Sequence, residues 1–138
     1  MLSNSHFAMA VHLLCALAWN EGRVIGSEDL ARSVGTNPSF LRGLIGDLRE
    51  AGLVETRQGK GGGSMLARSA GSITLHDVYR VTESTPVLKV HGPDCESPCP
   101  VARNMERLLD SVNERLEEIL VAELSRTTVA DLVAEYIA

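Results

Sequence analysis

Apolar residues recur along the first twenty positions with the spacing of one helix face. Phe7, Val11, Leu14, Leu17 and Ala18 share that face, so Ser5 to Trp19 is predicted to be an amphipathic helix, with Ser3 to Ser5 as candidate caps. After Glu21-Gly22, Ser27-Glu28-Asp29 offers a cap and two first-turn acids, which suit the positive end of a helix dipole; a short second helix should reach Val34. Gly35 ends it. Asn37-Pro38 then supplies a cap followed by proline at the first helical position, where a missing N–H costs nothing. Leu41, Leu44, Ile45 and Leu48 make the stripe of a third helix, which Gly52 stops. Two short helices across a glycine-containing turn form the helix-turn-helix pattern.

The pattern then changes period. Leu53 to Arg57 is short and β-prone, Gln58 to Gly63 must turn, and Ser64 to Ala67 can return, which predicts a hairpin or wing. Four of the five residues 59–63 are glycine, costly to order unless backbone passes close by or takes positive φ. Thr74 and Asp77 have capping-box spacing and open a fourth helix to about Glu83, which Pro86 prevents from extending. A proline-studded loop runs from Thr85 to Cys99. Pro100 can start a long helix to about Ser125, whose Met105, Leu109, Val112, Leu116 and Ile119 alternate by four and three like a coiled-coil seam. Thr128 and Asp131 repeat the capping-box spacing before a last short helix. The expected division is a winged helix-turn-helix at 1–84, a loop with candidate sensor residues at 85–99, and a dimerisation helix with a short C-terminal helix at 100–138. The fold class is mainly α, with a small β-hairpin wing and a long dimerisation helix.

Charge changes the picture once its distribution is considered. The chain of 138 residues carries a net −5, which alone argues against a nucleic-acid partner. Residues 1–80 hold eight basic and seven acidic side chains (+1), whereas 81–138 hold five and eleven (−6), so acid is kept out of the half that carries the helix-turn-helix. No Lys or Arg precedes Arg23, unlike the basic start of a signal peptide, and no apolar run approaches the ~18 residues of a membrane span. A soluble, cytoplasmic protein is expected.

Several segments together resemble the Rrf-two family of bacterial winged-helix regulators, that of IscR, NsrR and CymR. They are Phe7 to Leu14, the recognition segment Asn37-Pro38-Ser39-Phe40-Leu41-Arg42, Leu48 to Val54, the wing Gly59-Lys60-Gly61-Gly62-Gly63 with Leu66-Ala67-Arg68, and Ile73 to Tyr79. The resemblance covers nearly the whole chain. It implies a homodimer whose long helices pair and whose winged helices occupy successive major grooves of a pseudo-palindromic operator. Cluster-holding members usually place three cysteines before the long helix; this chain has Cys95 and Cys99 there, and the run Cys99-Pro100-Val101 is more similar to the cluster-free branch.

The candidate DNA-binding residues are Asn37, Ser39, Arg42, Arg49, Arg57 and Lys60. Arg42 opposes the apolar stripe near the start of the recognition helix, where a guanidinium can bond guanine in bidentate fashion. Ser39 and Asn37 suit phosphate contact or capping, and Arg49, two turns along, suits phosphate or an intrahelical partner. Arg57 and Lys60 flank the glycine turn and can reach a minor groove or phosphate. Cys95 and Cys99, with Cys15, are candidate redox sensors. His91, Cys95 and Cys99 fall four residues apart but match no compact zinc spacing, so no metal and no cofactor are assigned. No nucleophile motif, phosphate loop or metalloprotease signature appears, so no enzyme is expected. The function expected is repression of transcription, with thiol or redox responsiveness. Two alternatives stay open: an iron–sulfur or metal-sensing regulator of the same fold, and a winged-helix module that binds protein.

Overall fold

The computed structural model describes residues 5–83 and 85–137. Helix α1 (His6–Trp19) is central; α2 (Ser27–Val34) packs on it, and α3 (Pro38–Glu50) packs on α2. Leu13, Leu14 and Leu17 of α1, Leu30 of α2 and Leu41 and Leu48 of α3 are buried, each worth ~1.5–3 kcal/mol relative to an exposed side chain. The helix-turn-helix and hairpin expected from the sequence are present. Strand β1 (Val54–Arg57) pairs antiparallel with β2 (Gly63–Leu66), Val54 opposite Leu66 and Arg57 opposite Gly63. The segment before α2 joins them: Ile25 N–H donates to Ser64 O at 2.9 Å and Ser64 N–H to Ile25 O at 2.8 Å. That bridge holds the chain extended up to Gly26, so Gly26 takes the cap position of α2 and the expected cap, Ser27, becomes its first helical residue. Ser5 stands at the cap position of α1 without a side-chain cap bond, and Ser3 lies outside the described residues.

Helix α4 (Leu75–Thr82) follows a short turn at Ala70–Ser72, and its capping box is formed as the sequence predicts. The expected helix from Pro100 is interrupted. It divides into α5 (Pro100–Arg103) and α6 (Met105–Leu124), because the Asn104 side chain donates to Pro100 O at 2.7 Å and its own N–H turns to Val101 O at 3.1 Å. The amide thus competes for the carbonyl that a continuing helix would use. Nor does α6 stand alone. One face lies on α4, where Tyr79 Oη donates to Glu117 Oε2 at 3.2 Å. Asn113 clasps the preceding loop, accepting from Leu88 N–H at 2.8 Å and donating to Leu88 O at 3.1 Å. Of the expected seam, Leu109, Val112 and Leu116 are half-buried, while Ile119 is 63% and the neighbouring Leu108 54% exposed.

The last helix, α7 (Val129–Tyr136), returns to α1 and seals the core with the fully buried Val129. Its entry is fixed next to that of α4. Leu75 N–H donates to Thr127 O and Val129 N–H to Ile73 O, both at 2.9 Å, so Thr74 and Thr128, each the cap of its own helix, face one another across an antiparallel bridge.

Candidate nucleic-acid interface

A cleft of about 390 Å³ separates α3 from the wing, with Ser27 at one end. Arg42, Gly46 and Arg49 of α3 line one side; Thr56, Arg57 and the glycines of the turn line the other. Three of the six expected residues therefore meet here. Arg42 and Arg57 are exposed and make no hydrogen bond or ion pair within the described chain, so their charge is available to a ligand. Arg49 Nη1 donates to Thr56 Oγ1 at 3.4 Å, a weak contact that steers it toward the wing rather than along its own helix. Lys60 sits exposed at the wing tip, outside the cleft lining and likewise without a partner in the described chain.

The remaining two serve α3 itself or a different surface. Asn37 Oδ1 accepts from Phe40 N–H at 2.8 Å, which caps the helix and aims its first turn. Ser39 is exposed and lines a separate hollow with His6, Phe40 and Thr82. The glycines shape the wing. Gly59 and Gly61 have φ of 84° and 77°, and a Cβ on Gly62 would stand 2.2 Å from Arg57 O, so only glycine fits this turn. Sequence reasoning missed Ser27 and Thr56 as wall residues and the extended Val24-Ile25 beside the wing. The signal available was the β-prone pair Val24-Ile25 directly before Gly26.

Elsewhere the candidate sensors divide by environment. Cys95 and Cys99 are exposed, whereas Cys15 is half-buried on α1 and burial pushes its thiol up, disfavouring the thiolate. Among the described residues no three His, Cys, Asp or Glu side chains converge as a metal site held by one chain requires. Arg68 pairs with Asp77 at 2.7 Å. Burial alone would raise the Asp77 carboxyl, but hydrogen bonds from Thr74 and the Arg68 guanidinium outweigh it and hold it low. No helix among the described residues is long and apolar enough to cross a membrane.

Comparison with known proteins identifies the family. Residues 3–135 match the family model Rrf2 (Rrf-two), described as "Iron-dependent Transcriptional regulator". YwnA of Bacillus subtilis, a candidate HTH-type transcriptional regulator, is 30% identical over 130 residues, which covers 94% of this chain and 96% of YwnA. The HTH-type transcriptional regulator IscR of Photobacterium profundum is 32% identical over 130 residues, covering 91% and 75%. Among solved structures, CymR, the global cysteine regulator of B. subtilis, superposes with a TM-score of 0.66 at 25% identity, covering 95% of each chain.

Proposed function

The chain belongs to the Rrf2 family of transcriptional regulators, not enzymes, and from that premise we propose that it works as a homodimeric repressor on a pseudo-palindromic DNA site. The observation that carries this reading is the cleft between α3 and the wing, in which Arg42, Arg49 and Arg57 line the walls and no acidic side chain does. Arg42 reads a base edge in the major groove. Arg49, Arg57 and Lys60 neutralise phosphates, while Asn37 and Ser39 add contacts from the first turn of α3. The homodimer forms along α6, whose Leu108 and Ile119 would otherwise leave large apolar side chains in water. Pairing there sets two recognition helices ~34–36 Å apart, one turn of the duplex.

The signal enters, in this reading, through the exposed thiols Cys95 and Cys99. Their loop is clasped to α6 by Asn113, so a modification there pulls on the helix that spaces the two heads.

A mobility shift with the DNA upstream of the protein's own gene, repeated at rising salt, tests the proposal. Each phosphate neutralised should contribute a slope of about −0.9 to log Kobs against log salt. No shift at low salt, or one indifferent to salt, would return the fold to the protein-binding alternative.

A further inference from the structure

A hollow of about 580 Å³ opens between the C-terminal half of α3 and α4, and none of its lining residues belongs to the cleft between α3 and the wing. Its floor is apolar, made by the buried Leu53 and the half-buried Val81. Its walls are charged. Arg68 and Asp77 pair with one another at 2.7 Å and so neutralise one end. Asp47 and Glu50 of α3 and Arg80 of α4 are exposed, and their side chains make no hydrogen bond or ion pair within the described chain. Opposite charges thus line one hollow without meeting: two carboxylates and one guanidinium are left over after internal pairing. The smaller hollow that holds Ser39 shares Asp47 and Val81 with this one, so α3 and α4 leave open space on both sides of their contact.

We propose that this hollow binds a free α-amino acid whose side chain carries a second cation, with its carboxylate on Arg80 and its two cations on Asp47 and Glu50. The volume is within the ~300–1,000 Å³ of small-molecule sites. A guanidinium is the side chain best shaped to take a carboxylate in bidentate fashion, and the methylenes of a lysine-like ligand can lie along Leu53 and Val81 while its charged ends stay at the rim. The charge count sets the class. A phosphate or nucleic-acid ligand would meet two unpaired carboxylates, and a diamine would leave Arg80 facing a cation with no anion between them. Occupation has a route to the DNA-reading face. One wall belongs to α3, which carries Arg42, and the other to α4, which Tyr79 ties to Glu117 of the long helix α6. A ligand that prefers one spacing of α3 and α4 shifts DNA affinity by its differential affinity for the two arrangements. That regulatory half rests on the function proposed above; the binding half does not.

Isothermal titration calorimetry of the full chain compares three probes at one fixed ionic strength: L-lysine, L-norleucine, which lacks the side-chain ammonium, and cadaverine, which lacks the carboxylate. Saturable binding of one lysine per chain is expected, with each analogue weaker by about fivefold or more, the size of one solvent-reached ion pair. Because the three unpaired side chains are exposed, neutral replacements leave the core untouched. Arg80→Gln should bring lysine down to the affinity of cadaverine, and the double change Asp47→Asn with Glu50→Gln should remove the preference for lysine over norleucine. Heats that do not saturate, equal affinity for the three probes, or wild-type preferences in the variants overturn the site. In the mobility shift, saturating lysine should change operator affinity in the wild type and not in Arg80→Gln. An unchanged shift in the wild type refutes the regulatory half while leaving DNA binding intact, and a protein that binds lysine but shifts no DNA refutes the proposed function while leaving the site.

Discussion

Gly63→Ala is a one-methyl perturbation whose effect is set by backbone rather than by side chains. The added Cβ would stand 2.3 Å from Ile25 O and 2.8 Å from Gly26 N, and neither atom belongs to a flexible group. Relief requires the bridge between Ile25 and Ser64 to open, which removes two backbone hydrogen bonds of 2.8 and 2.9 Å at a residue, Ser64, that is only 3% exposed. Each bond contributes ~0.5–1.5 kcal/mol and overpacking adds ~1–3 kcal/mol, so the loss should be about 2–6 kcal/mol. Typical stabilities are ~5–15 kcal/mol, making this a large fraction of the total. Gly61→Ala is the control. Its φ of 77° penalises any side chain by ~1–2 kcal/mol, but nothing lies within 4 Å of its Cβ. Urea and thermal melts followed by far-ultraviolet circular dichroism, at one fixed protein concentration, compare the two. Gly63→Ala should lose clearly more stability than Gly61→Ala, with a Tm lower by roughly 6 °C or more than wild type. Equal losses, or a Gly63→Ala melt within ~0.5 kcal/mol of wild type, would show that the segment before α2 does not hold the wing, and the argument for its orientation would fail.

Arg42→Ala should cost ~1–3 kcal/mol at the operator and relax base preference, whereas Lys60→Ala should weaken all sequences alike; competition mobility shifts separate these, and an unchanged preference in Arg42→Ala reassigns it to phosphate. Ile119→Glu places a charge on a side chain already 63% exposed in one chain, so sedimentation should show monomers with unchanged helix content; an intact dimer moves the interface elsewhere. Asp77, with its carboxyl held below the ordinary value, contributes stability that is full above about pH 4 and lost as pH falls through its lowered pKa. Asp77→Ala should therefore be less stable by ~1 kcal/mol at neutral pH and lose less on acidification, and parallel pH profiles for the two proteins would refute this. Maleimide labelling at pH 7 read by mass spectrometry should modify Cys95 and Cys99 well before Cys15; the reverse order would discard the exposed-thiol signal.

What could be read from the sequence was whatever local chemistry decides. Asn37-Pro38, the capping boxes at Thr74 and Thr128, and the turn glycines each act within a few residues, and the structure forms every one. The break between α5 and α6 is harder. Asn104 ends α5 through a side-chain bond that competes with an unbroken helix by a small margin, and the apolar periodicity on either side carries no trace of it. Long-range pairings were not legible either. Neither the alignment of Ile25 with the wing nor the return of α7 to α1 follows from residue type, since both depend on which distant surface remains uncovered. For the candidate site, the cationic residues were visible and their convergence was not: Arg42 and Arg57 share a cleft only because the wing folds back along α3, while Ser39, three residues from Arg42, lines another hollow.

The bridge between Thr74 and Thr128 makes the long helix a detachable arm in the evolutionary sense. The chain leaves the DNA-reading fold shortly after one threonine and re-enters it at the other, so nothing between the end of α4 and Thr127 has to change length in step with the core. Closing a loop of this size costs only ~0.6 kcal/mol more for each doubling. Whole helical turns can therefore be added to or removed from the arm at little expense to the fold. Where two such arms pair, each added turn resets the distance between two reading heads, and one core can acquire operators of new spacing without redesign of the residues that read them.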